Sequence, residues 1–198
     1  MQMAQDNLQI KDVFEQNTLN VLFYDNSFTK TTFFVNTLPK WNIPTFYLDF
    51  DLLYSGYVRS GQIPLSKNTT LLCPNTDNLH KNLKVVIDKI SKMKSLVIID
   101  SLNGFFNLLD DRKDSGKIIN SFIMLLASSA KNANSVVIIG SLSKLIEEKE
   151  WVLYNTGRRV IENKHMTKIY LTKSNGSIIV KNLNSGKSKR LFSLNSRN

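Results

Sequence analysis

Short apolar runs punctuate this chain, and segments with helical spacing of their apolar positions lie between them. Val21 to Tyr24, Thr45 to Phe50, Thr69 to Cys73, Ser95 to Asp100 and Val136 to Gly140 have strand length and few polar residues. Thr29 to Thr32 opens an apolar segment from Phe33 to Leu38, which predicts a helix from about Lys30. Leu79 to Met93 repeats apolar residues at Leu79, Leu83, Val86, Ile87 and Ile90, and Ile118 to Ala130 is apolar almost throughout. Continuous apolar strands alternating with helices predict an α/β fold, because crossover helices then cover both faces of a mainly parallel central sheet. The end of the chain has another character. Lys168 to Lys173 and Ser177 to Val180 flank Ser174-Asn175-Gly176, the signature of an antiparallel hairpin, and Arg190 to Leu194 predicts a further strand. No repeat or low-complexity linker divides residues 1–198, which predicts a single domain.

Composition narrows the class. With 42% hydrophobic and 21% charged residues the chain reads as an ordinary globular protein. No apolar run approaches the ~18 residues of a membrane span. The first residues, Met1 to Asp6, lack a basic region followed by an apolar one, so the expected location is cytoplasmic and not membrane-bound. Cys73 is the only cysteine, which excludes an internal disulfide and a cysteine-rich zinc site. His80 and His165 stand alone in sequence and read as surface residues.

Charge changes the picture more. The net charge is +10, and from Trp151 to Asn198 ten basic residues face Glu162 alone, a net +9. A field of one sign attracts polyanions, although a solvated basic face would give the same count. The candidate contacts are Arg158, Arg159, Lys164, Lys168, Lys173, Lys187, Lys189 and Arg190.

Candidate chemistry begins after the first strand. Tyr24-Asp25-Asn26-Ser27-Phe28-Thr29-Lys30-Thr31 has the length of the phosphate-loop pattern G-x-x-x-x-G-K-[ST], with Lys30 and Thr31 in its last two positions. Tyr24 and Thr29 stand where the glycines belong, so the cation and the hydroxyl survive without the residues that give the loop its backbone freedom. Three strand-end residues extend the pattern. Asp100 suits either a Mg²⁺ ligand or a helix cap, Asp51 either a water-orienting base or a turn residue, and Ser141 either a phosphate sensor or loop polarity.

In this order the segments resemble the core ATPase domain of the RecA/RadA recombinase family, from about Val21 to Phe192. The carriers are the loop from Tyr24 to Thr31, Tyr47-Leu48-Asp49-Phe50-Asp51, Leu96 to Ser101, Val136 to Ser141, and the hairpin after Arg158-Arg159. The resemblance implies a RecA-like P-loop fold with a degenerate Walker A loop, and ATP and Mg²⁺ as cofactors. Asn26, Ser27, Phe28, Thr29, Lys30, Thr31, Thr32 and Ser141 would then surround the nucleotide. Thr31 and Asp100 would hold the metal, and Asp51 would be catalytic. The family usually has Glu at that last position, and the shorter Asp51 implies weak or absent hydrolysis.

The resemblance therefore implies a diverged paralog, an accessory protein of recombination or repair that binds DNA. A RecA-fold partner or self-association is a second expectation. The alternative is a catalytically silent RecA-fold subunit of a larger assembly that binds RNA or a protein. A small-molecule phosphotransferase fits less well, since no Arg-rich lid segment is present.

Overall fold

A computed structural model describes residues 10–146, 150–153, 165–174 and 176–193, with only the backbone described at 145, 146, 150–153 and 190–193. Its centre is a sheet built from the apolar runs. The strands are β1 (Leu19–Tyr24), β2 (Thr45–Asp49), β3 (Thr69–Leu72), β4 (Leu96–Asp100), β5 (Val136–Ile146), β6 (Glu150–Leu153), β7 (Met166–Ser174), β8 (Ser177–Asn182) and β9 (Ser188–Ser193). Their spatial order is β3-β2-β4-β5-β1-β7-β8-β9, with β6 paired to β5 off this path. From β3 to β7 every neighbouring pair is parallel, whereas β7-β8, β8-β9 and β5-β6 are antiparallel. The predicted parallel sheet and closing hairpin are both present.

Every residue of β1, β2 and β4 is buried, as expected of strands covered on both faces. One face packs against α4 (Leu79–Ile90), α5 (Leu102–Leu108) and α6 (Ser115–Lys131), through Leu83, Val86, Phe105, Ile119 and Leu126. The other packs against α1 (Ile10–Glu15), α2 (Ser27–Thr37) and α3 (Leu53–Arg59), through Phe14, Phe33, Phe34 and Tyr54. Because side chains alternate along a strand, Val21 and Phe23 feed the first core while Leu22 and Tyr24 feed the second.

Two boundaries differ from expectation in ways that matter for the site. The helix expected from about Lys30 starts at Ser27, so only Asp25 and Asn26 separate it from β1. The second strand ends at Asp49 and not at Asp51, because the chain bends there and Leu52 takes a left-handed conformation at φ 58°.

Candidate functional site

Asn26 decides the shape of the region after β1. Its backbone is extended, and its side-chain oxygen accepts from the N–H groups of Phe28 (2.8 Å) and Thr29 (3.2 Å), an N-cap. The N–H of Lys30 donates to the carbonyl of Asn26 at 3.2 Å, and the Thr31 hydroxyl donates to the carbonyl of Ser27 at 2.9 Å. The segment that would wrap around phosphate is thus the first turn of α2. Thr29 carries no left-handed strain there, since a helical φ suits a β-branched residue.

Lys30 sits on the second turn of that helix and is fully buried. Its ammonium lies 2.5 Å from Asp100 Oδ1, 4.0 Å from Asp51 Oδ2 and 5.3 Å from the centroid of the Tyr24 ring. The second oxygen of Asp100 accepts from the Tyr47 hydroxyl. Alternation explains the convergence: Tyr47, Asp49, Ile98 and Asp100 project to the face that α2 covers, and Asp49 stands beside Asp100 in the β2-β4 register. Gly140 on β5 borders the Asp100 carboxylate, and a Cβ there would lie 3.4 Å from Asp100 Oδ1, about ordinary contact distance.

Burial governs the titration of these groups. It pushes Tyr24 and Tyr47 well above the usual phenol range, and the negative charge of Asp100 adds to the effect. Tyr54, stacked on Tyr47 at 4.3 Å between ring centroids, is pushed up to about 12, again mainly by burial. Asp49 and Asp51 are both raised by burial, with the neighbouring Asp100 adding to it. Asp49 is held back by the backbone N–H of Ser55, which donates to its Oδ2 at 2.6 Å.

The structure brings together Lys30, Asp100 and Asp51 and leaves Ser141 apart. Ser141 follows Ile139 in the alternation of β5 and belongs to the opposite face; its hydroxyl lies 2.6 Å from that of Ser143. Phe28 is exposed and Thr32 half-buried on the outer side of α2. Sequence reasoning missed Tyr47, Asp49 and Gly104. Gly104 lies in α5 under the bend at Asp51, where an added Cβ would come within 2.3 Å of Asp51 Oδ1 and 2.9 Å of the Phe50 carbonyl carbon. The Asn26 cap had a signal, an Asn just ahead of an apolar-periodic segment.

Of the basic candidates, Lys173 and Lys187 are exposed and Lys168 and Lys189 half-buried. Lys168 and Lys173 differ in parity and so stand on opposite faces of β7. The backbone of Arg190 pairs with Ile179, whereas Arg158, Arg159 and Lys164 lie outside the described residues.

Solved structures identify the architecture. That of a RadB recombinase superposes with a TM-score of 0.55 at 12% identity, over 84% of this chain and 80% of that one. The fold is RecA-like. No protein-family model and no curated protein matches the sequence.

Such a fold raises the question of ATP and Mg²⁺, and the residues present do not fit them. The N–H groups of Phe28, Thr29 and Lys30 are all taken within the helix turn, and Lys30 is enclosed. Asp100 spends one oxygen on Lys30 and the other on Tyr47, and no group of three metal-ligating side chains occurs among the described residues.

Proposed function

We propose that this RecA-fold protein is an accessory factor of recombination or repair that acts by binding nucleic acid, DNA in the first place, and not by hydrolysing ATP. The observation that carries the reading is the pairing of a fold shared with a recombinase with a C-terminal part that holds ten cations and one acid. Cations on flexible stems neutralise phosphates without reading bases, so binding depends little on sequence and strongly on salt. Filter binding of single- and double-stranded DNA is the test. Affinity is expected to fall about 100-fold between roughly 50 and 200 mM salt, the slope that about four phosphate contacts produce. Replacing Arg158 and Arg159 together is expected to weaken binding to every sequence and flatten that slope. No binding at the lower salt would refute the reading.

One observation favours the second reading, a silent subunit that docks on a protein. From Ile118 to Ala130, α6 carries no charge, and Met124 and Leu125 are 57% and 48% exposed on its outer side. Neighbouring exposed apolar residues on an uncharged helix face suit a protein contact better than a nucleic acid.

A further inference from the structure

The residues that stand where a phosphate-binding lysine and a metal-holding aspartate belong have another use here. We propose that Lys30 and Asp100 form a permanent structural ion pair, which holds α2 to β4 and takes the place that a nucleotide and its metal would occupy. The inference depends on the local geometry and not on nucleic-acid binding, so either can fail without the other.

Three independent features support it. The first is enclosure: Lys30 and Asp100 both have side chains with no exposed surface, and they meet at 2.5 Å. A lysine waiting for phosphate has to face solvent, and this one is shut in by the Tyr24 ring and the end of β4. The second is charge. Asp100 is bonded by Lys30 on one oxygen and by Tyr47 on the other, so a cation approaching it would meet the Lys30 ammonium 2.5 Å away. The third is the backbone. Asn26 caps the helix three residues earlier than a phosphate loop would allow, and opening a cradle would cost that cap and the first turn of α2. Each feature closes the site by a different route, one by packing, one by charge and one by backbone conformation.

A buried pair behaves distinctively under substitution. Removing one partner leaves the other charge unpaired in a poorly polarisable interior, whereas removing both charges restores neutrality. Thermal unfolding in nucleotide-free buffer therefore reads the pair directly. Lys30→Met and Asp100→Asn are each expected to lower Tm by roughly 10 °C, as the loss of one partner of a buried pair does in a chain of this size. The double variant is expected to recover at least half of that loss. If a single variant fails to fold, recovery of a folded double variant gives the same answer.

Equilibrium dialysis of the unaltered protein against labelled ATP with Mg²⁺ needs no variant at all. No saturable binding is expected at millimolar nucleotide. Saturable binding that Lys30→Met abolishes would overturn the proposal, and so would single variants that leave Tm unchanged without nucleotide.

Discussion

Three carboxylates and one ammonium crowd the carboxyl ends of β2 and β4, and the acids do not all gain from being there. Asp100 is matched by Lys30. Asp49 stands beside Asp100 in the register, and the Ser55 N–H donates to its Oδ2. Burial raises its pKa, so the folded protein holds its proton more tightly than the unfolded chain does. The sign follows. Its stabilising contribution is complete below the unfolded carboxylate range, near pH 4, and is lost as pH rises through the higher folded value. Asp49→Asn keeps an oxygen for Ser55 and removes the charge beside Asp100. The variant is expected to unfold at a higher temperature than the original at pH 7, with the difference shrinking towards pH 4. A Tm series across that range checks it, and a difference that grows on acidification would show the opposite linkage. Sequence reasoning saw Lys30 and Asp100 from their order alone. It did not see Tyr47 or Asp49, whose part depends on which face of β2 they share with Asp100.

The elements were legible in proportion to their length and apolar content. β2, β4 and the start of β5 announced themselves because a strand buried on both faces must be apolar at nearly every position. The six and seven residues of α1, α3 and α5 are too few to repeat an amphipathic pattern, so no periodicity marked them. α3 also begins after a left-handed leucine, a position that ordinary start signals do not flag. α5 matters most for the site, because it presses against the bend after β2 through the stacked rings of Phe50 and Phe105, 4.3 Å apart, and through Gly104. Within a helix, alanine ordinarily gains up to about 1 kcal/mol over glycine. Here the added methyl would meet Asp51 and the Phe50 backbone, so the sign reverses. Gly104→Ala is expected to destabilise by about 1–3 kcal/mol, the range for overfilling a packed interior, seen as a lower urea midpoint at unchanged slope. A midpoint that rises would mean that the bend yields freely.

On the proposed reading, a RecA-like sheet, a lysine closed onto Asp100 and a basic C-terminal part make a protein that binds nucleic acid without waiting for a nucleotide. The sheet was readable from the alternation of its runs. The helical turn after Asn26 was not, because a phosphate loop and a capped helical turn can be written in nearly the same eight residues and differ only in where the backbone turns. The opposite faces of Lys168 and Lys173 were within reach, since five residues separate them in one predicted strand; how deeply Lys168 and Lys189 are covered was not, because that depends on the neighbouring strands. Removing one partner of the Lys30–Asp100 pair threatens about 3–5 kcal/mol, a large share of a typical domain's total. On the proposed reading the pair therefore stays closed, and nucleic-acid binding does not depend on ATP. Fluorescence anisotropy of a labelled single-stranded DNA, titrated with the full chain with and without ATP and Mg²⁺, tests this most directly. The expected result is one affinity under both conditions, sensitive to salt and unchanged by Lys30→Met as long as that variant is folded. Binding that appears only with ATP and Mg²⁺, or tightens tenfold on adding them, would contradict it.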